Sequence, residues 1–237
     1  LGLKWNGDFE TGDLSQWAGV EYGGTFDGTP ALSEQVKILT EDAGLKPLFG
    51  KYMAKILVPP GSQYGGSSGW RCLMRPHPDA EMLVGNGYDS TWVYTIAVPS
   101  DFPQNGSQAL WVAGLEIHHS NGVNGAPHHM QADTNKRFWV DVAGGDLNNR
   151  TVSVKQAFRA FTNVKWYVVV ERYKHDAASG AYELYIGEVG TDQAPVLQVS
   201  KNNIPTQYFP YNGQEVKNYP LFGLYVDQVG SATTAIY

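Results

Sequence analysis

Apolar residues in this chain recur at every second position over short runs, with glycine, proline, asparagine or aspartate between one run and the next. Residues 51–59 (KYMAKILVP), 91–99 (TWVYTIAVP), 109–119 (ALWVAGLEIHH), 136–144 (KRFWVDVAG), 164–174 (VKWYVVVERYK), 181–189 (AYELYIGEV) and 221–229 (LFGLYVDQV) share this pattern. They are rich in β-branched and aromatic side chains, as strands are. A period of two sends alternate side chains to opposite faces, which suits a half-buried strand and not a helix. Regular spacing with turn residues between the runs predicts an all-β fold: a β-jelly roll, a sandwich of two antiparallel sheets. Helical signals are weak. SVKQAFRAF (153–161) is expected to form at most a turn or two of helix, and SEQVKILTEDAG (33–44) fits either state. No repeat, low-complexity segment or linker divides the sequence, so residues 1–237 are read as one domain.

Composition narrows the function classes. At 42% hydrophobic and 13% aromatic the chain can bury a substantial core. Its net charge of −6 argues against a general nucleic-acid binder, although a local basic groove is compatible with an acidic protein. The single cysteine, Cys72, excludes an internal disulfide. No apolar stretch approaches the length of a membrane span. The first residues lack a basic region followed by an apolar run, so any signal peptide is expected to have been removed already. Asn105 and Asn149 each begin a glycosylation tripeptide, a common chance pattern.

Four segments carry polar groups suited to chemistry. In WRCLMR (70–75) alternation puts Arg71, Leu73 and Arg75 on one face and Trp70, Cys72 and Met74 on the other. In ALWVAGLEIHH, Trp111, Ala113, Leu115 and Ile117 are expected in the core, with Val112, Gly114, Glu116 and His118 opposite. A carboxylate and an imidazole two residues apart on one face can act as an acid/base or metal pair, or simply hydrogen-bond at the surface. In LFGLYVDQ, Leu221, Gly223, Tyr225 and Asp227 lie opposite Phe222, Leu224 and Val226, and the glycine leaves room for a backbone or ligand to approach. Asp8, Glu10 and Asp13 in NGDFETGDLSQW are hard oxygen ligands in a glycine-containing turn, suited to calcium but without EF-hand spacing. The long segments RPHPDAEMLVGNGYDS (75–90) and HHSNGVNGAPHHMQADTN (118–135) read as loops. The four histidines of the second, His118, His119, His128 and His129, invite a zinc reading. Adjacent strand residues diverge, however, so at most one of each pair joins a site, and structural zinc usually recruits thiolates.

Taken in order, these runs resemble the jelly-roll polysaccharide lyases of concanavalin-like fold, in particular the heparin lyase I-like and glucuronan lyase group, and more loosely the alginate lyases. In alginate lyases the arginine strand typically reads Arg-Ser/Thr-Glu-Leu-Arg, which Arg71 and Arg75 match. The central strand reads Gln-Ile/Val-His, which His118 matches with Glu116 in place of glutamine. The closing motif has lysine, glycine and tyrosine, and Gly223 and Tyr225 match the last two. Leu73 and Leu221 stand where the pattern has glutamate and lysine.

The resemblance implies a uronic-acid-containing polysaccharide cleaved by β-elimination, with His118 as base, Tyr225 as acid or as both base and acid, and Arg71, with Arg75 or a cation, neutralising the carboxylate. Arg75, Glu116, His129 and Gln131 are the expected substrate-binding residues. Calcium held by Glu10, Asp8 and Asp227 is the expected structural cofactor, and no organic cofactor is implied. The partner is an acidic polysaccharide or other glycan, encountered outside the cell. Two alternatives stand beside the lyase. One is a non-catalytic glycan-binding or structural jelly roll of a cell surface, filament or virion. The other is a glycoside hydrolase, which requires a second groove-facing carboxylate beside Glu116.

Overall fold

The computed structural model describes residues 5–22, 31–60, 62, 69–76, 83–100, 102, 110–120, 125–133, 135–227 and 234–237. The strands are β1 (Trp17–Tyr22), β2 (Val36–Leu39), β3 (Met53–Val58), β4 (Gly69–Pro76), β5 (Asp89–Ala97), β6 (Leu110–His119) and β7 (His128–Ala132). They continue as β8 (Arg137–Asp146), β9 (Asn149–Ala160), β10 (Trp166–Lys174), β11 (Gly180–Glu188), β12 (Val196–Ile204), β13 (Asn218–Asp227) and β14 (Thr234–Ile236). One helical turn, α1 (Leu32–Gln35), precedes β2.

A seven-stranded antiparallel sheet in the order β1-β4-β13-β6-β7-β8-β9 packs against a four-stranded sheet in the order β12-β11-β10-β5. The three-stranded sheet β14-β3-β2 joins the second layer where Tyr237 and Ala97 exchange both backbone hydrogen bonds. This is the expected jelly-roll sandwich, with its second layer split in two.

Alternation builds the core. Cys72 and Met74 on β4, Leu224 and Val226 on β13, Ala113, Leu115 and Ile117 on β6, and Phe138, Val140 and Val142 on β8 are all buried. They form one cluster with Ile96, Tyr167, Val169, Tyr182, Leu184 and Ile186 of the facing sheet. Each large apolar side chain fully buried this way contributes roughly 1.5–3 kcal/mol. Two expectations need correction. All of SVKQAFRAF but Phe161 lies within β9, because most of its residues have a ladder partner in β8 and tertiary pairing overrides a weak helical tendency. The histidine-rich loop contains β7, where His128, Met130 and Ala132 turn to the core.

A polar cluster sits inside this apolar core. Glu171 on β10 is fully buried and accepts hydrogen bonds from Tyr94 (2.6 Å), Tyr173 (2.9 Å) and Tyr182 (2.8 Å). His128 crosses from the other sheet to bring Nε2 within 3.0 Å of the same carboxylate. Burial alone would raise the Glu171 pKa, but His128 and the phenol donors outweigh it and hold the group below its ordinary value.

Candidate functional site

The outer face of the seven-stranded sheet, turned away from the core, collects most of the polar residues singled out in the sequence. Register fixes their positions. On β13 Tyr219 lies opposite His118, Leu221 opposite Glu116, Gly223 between Gly114 and Leu73, and Tyr225 opposite Arg71. Across β6, Glu116 pairs with His129, and His129 in turn pairs with Asp141 of β8.

Two polar clusters result, with an apolar one between them. At one end the Arg71 guanidinium stacks over the Tyr225 ring at 5.4 Å. In the middle Leu73 and Leu221 are both fully buried and form their own cluster with Tyr219 and Tyr225. The two leucines, which stand where the resemblance has glutamate and lysine, thus pack together on neighbouring strands. Gly223 is required for a different reason from ligand access. A Cβ there would lie 2.1 Å from the Cys72 carbonyl oxygen, so the close approach is made by the backbone of β4.

At the other end, Tyr219 Oη and His118 Nδ1 are 3.2 Å apart, and the Arg75 guanidinium lies over the Tyr219 ring at 5.0 Å. His118 Nδ1 is also 3.1 Å from the His119 carbonyl oxygen. A proton on Nδ1 serves that carbonyl and makes Nε2 the acceptor of the ring, whereas the other tautomer accepts from Tyr219 at Nδ1. Glu116 is buried beside them, with Oε1 3.9 Å from His129 Nε2. Burial first, and then the charges of His128, Arg150 and His118, push the His129 pKa down to about 3, so its imidazole is neutral at ordinary pH. Asp141 accepts from Arg150 Nη2 at 3.0 and 3.1 Å. Gln131, two residues along β7 from His129, is half-buried opposite Trp139.

The face thus brings His118, Glu116 and His129 together, with Arg75 reaching them through Tyr219. Tyr225 and Arg71 share the face but not the cluster. Tyr225 stands six positions beyond Tyr219 on β13, roughly 20 Å of strand. Tyr219, Asp141 and Arg150 were not singled out in the sequence. Alternation contained the first two: Tyr219 has the parity of Leu221, Gly223 and Tyr225, and Asp141 stands opposite Val140 and Val142 in FWVDV.

The acidic N-terminal turn is differently built. Asp8 accepts from Asn6 Nδ2 (2.6 Å), the Glu10 amide (3.0 Å) and Gln16 Nε2 (3.1 Å). Glu10 Oε1 accepts from the Lys51 and Tyr52 amides at 2.8 and 3.0 Å. Asp227 ends β13 beside Gly69, whereas Trp17, next to Gln16, pairs with Pro76 at the opposite end of β4. Those ends lie about 23 Å apart, so the expected trio does not converge. Among the described residues no group of three or more histidine, cysteine or acidic side chains is placed to hold a metal ion. The histidines of β7 diverge as strand geometry requires, whereas the His118 and His119 rings on β6 stack at 5.2 Å. His118 and His129 face outward, His128 faces the core, and Cys72 is buried with its thiol pushed up to about 12 by desolvation. Asn105 lies outside the described residues, and Asn149 is exposed at the start of β9.

No protein-family model and no curated protein matches the sequence. Solved structures do match in shape. The endo-β-1,4-glucuronan lyase of the fungus Trichoderma reesei aligns over 93% of this chain and 92% of its own, with a TM-score of 0.61 at 11% identity. Its fold is that of the jelly-roll polysaccharide lyases. A family 7 alginate lyase bound to its product aligns over 84% of this chain and 78% of its own, with a TM-score of 0.52 at 15% identity. The catalytic domain of a glycoside hydrolase family 131 protein from Coprinopsis cinerea aligns over 98% of this chain and 90% of its own, with a TM-score of 0.53 at 14% identity. The jelly roll is therefore one that carbohydrate-active enzymes of two reaction types use. No helix among the described residues is long and apolar enough to cross a membrane.

Proposed function

We propose that the protein is a polysaccharide lyase that cleaves a uronic-acid-containing polysaccharide by β-elimination, outside the cell where such polymers occur. The observation that carries this reading is the His118–Tyr219 contact beside Arg75, on a sheet face whose fold is shared with glucuronan and alginate lyases. Elimination needs the uronate carboxylate neutralised, the C5 proton removed and the departing O4 protonated. Arg75 supplies the charge for the first requirement, with a planar fork matched to a carboxylate. His118 takes the C5 proton at Nε2, and the electron pair forms the C4–C5 double bond as the C4–O4 bond breaks. Tyr219 donates its phenolic proton to O4 and recovers one through His118. Arg71 and Tyr225, too distant to act on the same bond, hold a further part of the polymer. Glu116, His129 and Gln131 line the cluster on its far side. Incubation with glucuronan, heparin-like and alginate polymers tests the proposal by absorbance of the 4,5-unsaturated product. Silence on all of them would favour a glycan-binding role without catalysis.

A second reading has one specific observation behind it. Glu116 and Asp141 flank His129 in one row on one face, two strand spacings or roughly 9.6 Å apart at Cα. Inverting glycoside hydrolases hold two carboxyl groups about 6.5–9.5 Å apart. New reducing ends without the unsaturated chromophore would select hydrolysis.

A further inference from the structure

Trp139 on β8 lies outside the core. Its neighbours Phe138 and Val140 are buried, so parity turns the indole to the outer face of the seven-stranded sheet, where it is half-buried. It belongs to none of the apolar clusters that the described residues form. That is unusual for a large aromatic side chain, which folding commonly buries against others.

A charged clamp holds the ring instead. Asp133, in the turn between β7 and β8, accepts at Oδ2 from Trp139 Nε1 (2.7 Å) and from Arg137 Nε (2.8 Å) and Nη2 (2.7 Å). Its Oδ1 accepts from the Asn135 and Arg137 amides, both at 2.9 Å. The Arg137 guanidinium lies over the indole at 5.1 Å. Burial alone would raise the Asp133 pKa, but Trp139 and Arg137 outweigh it and hold the group below its ordinary value, so the clamp stays charged. The amide bonds and Arg137 suffice to close the turn. What the indole bond adds is a fixed ring plane, set before any ligand arrives. Arg137 is neutralised by Asp133, so the platform offers a π face and no net charge.

Sheet order places this platform beside the proposed reaction centre. β4 and β8 each lie two strands from β6, on opposite sides of it. Arg75 of β4 and Trp139 of β8 therefore flank the His118–Tyr219 pair. Gln131 stands opposite Trp139 on β7. By strand geometry the Trp139 and His118 Cα atoms are about 16 Å apart, two strands across and four residues along. A sugar at Trp139 is then not the one whose bond breaks but one further along the same chain. Arg137 and Arg150 on this side are each paired with an aspartate, so little is left to recognise a carboxylate.

We propose that Trp139 forms a saccharide-binding subsite that takes a pyranose ring of the polymer by its C–H face, with the Gln131 amide bonding to the sugar hydroxyls. This rests on the outer face binding a polysaccharide. It adds a subsite that reads ring shape and not charge, on the side of the reaction centre opposite Arg75.

The test is affinity electrophoresis of the full chain through gels containing glucuronan, alginate, a heparin-like polymer or a neutral β-glucan. A His118→Ala parent is used so that polymer is bound and not cleaved. Adding Trp139→Ala should weaken affinity by about three- to tenfold, the range for one aromatic stacking contact. Trp139→Phe, which keeps a π face, should retain most of the affinity. Trp139→Leu, which keeps only apolar bulk, should not. The loss should persist at high salt, where that of Arg75→Ala shrinks. Equal retardation of the parent and of Trp139→Ala or Trp139→Leu, each folded by circular dichroism, would overturn the proposal and leave the lyase reading standing. A loss that disappears at high salt would also overturn it, because charge and not the ring would then hold the polymer. Retardation by the neutral glucan alone, still dependent on Trp139, would support the subsite and remove the uronic-acid reading. No retardation by any polymer would remove both.

Discussion

His128 and His129 are adjacent on β7, and each faces a glutamate, but the two pairs are opposite in kind. His128 points into the sandwich, where Glu171 also gathers three tyrosine hydroxyls at 2.6–2.9 Å. His129 points to the outer face, 18% exposed, with Glu116 at 3.9 Å. The same two residue types thus form a dry, donor-saturated structural knot and, one residue later, part of a surface where a substrate can arrive. Residue type alone does not separate these roles; strand parity does. The inner pair should be read in stability and the outer pair in chemistry.

The largest effect expected is on the inner pair. Glu171→Ala leaves three buried phenols and an imidazole without their common acceptor, and should cost about 3–5 kcal/mol in urea unfolding, the range for breaking a buried charged cluster. Glu116→Gln should cost no more than about 1 kcal/mol, within the usual range for a polar substitution that keeps side-chain volume. Equal costs for the two would break the comparison.

On the outer face the readout is turnover. His118→Ala and Tyr219→Phe should each lower kcat on a uronic polymer by about 10²–10⁴, as removal of a general acid or base does. Tyr225→Phe and Arg71→Ala should act mainly on KM, because they hold polymer away from the broken bond. Reversal of the two tyrosine phenotypes would restore the assignment that the resemblance implies and remove Tyr219 from the chemistry.

How far the sequence reached follows from the same parity. Period-two runs located the sheets and assigned faces correctly on β4, on β6 from Ala113 to His118 and on β13 from Leu221 to Val226, because one face of each is buried and a slip would expose the core. The side chains of Trp111, Val112 and Asp227 lie outside the described ones. Cross-strand register is another matter. Nothing in LFGLYVDQ states that Tyr219 and not Tyr225 stands beside His118; that depends on which residues of β13 and β6 pair, a long-range contact. Glu171 was hidden for a related reason. VVVERYK shows the glutamate on the face of Val169 and Tyr173, but its three tyrosine donors come from three strands. The short β7 was lost among loop residues because its core contributions, His128, Met130 and Ala132, are not strong strand formers.

Acid sharpens the contrast between neutral and charged histidines. Burial and nearby cations lower the His129 pKa to about 3, and burial with the His128 charge lowers that of His175 to about 4, against an ordinary 6.5. Below about pH 6.5 the unfolded chain binds protons that the folded chain refuses, so stability falls as pH falls. Each group should contribute up to ~1.4 kcal/mol per pH unit until its folded pKa is reached. Glu171 has the opposite reference point: its pKa is depressed, so its contribution is intact above the ordinary carboxylate range and lost only below it. Melting temperatures between pH 7 and pH 5 should therefore decline with a slope that His129→Asn reduces and Glu171→Gln leaves in place.

Glu116→Gln carries a smaller effect on activity, but a diagnostic one. A carboxylate beside a bound uronate repels it. If elimination is the reaction, the amide should raise kcat/KM on uronic polymers by about tenfold or less, in line with removal of one partly screened like charge. A fall in activity on a neutral glucan, with new reducing ends as the readout, would instead mark Glu116 and Asp141 as a hydrolytic pair.

The smallest expected effect is on the N-terminal turn, where the comparison extends to a third kind of carboxylate. Asp8 and Glu10 are exposed, yet Asp8 is fully engaged by donors of the chain and Glu10 clamps two backbone amides of the loop before β3. The turn resembles Glu171 in being internally satisfied but, unlike both Glu171 and Glu116, it faces water. The packing is close as well: a Cβ at Gly50 would lie 2.3 Å from the Glu10 carboxyl carbon, so the loop has been shaped to the side chain itself. A cation arriving here would have to displace amide donors that already neutralise the oxygens, and Asp227 is at the wrong end of the sheet to help. Chelation with EDTA should accordingly leave the melting temperature unchanged, and added calcium should not raise it. Glu10→Ala should lower stability by about 1 kcal/mol through the two lost amide bonds, equally with and without calcium. A calcium-dependent rise in melting temperature that Glu10→Ala abolishes would show that the turn exchanges its amide donors for a metal, and that internal hydrogen bonding does not mark a carboxylate as closed to ligands.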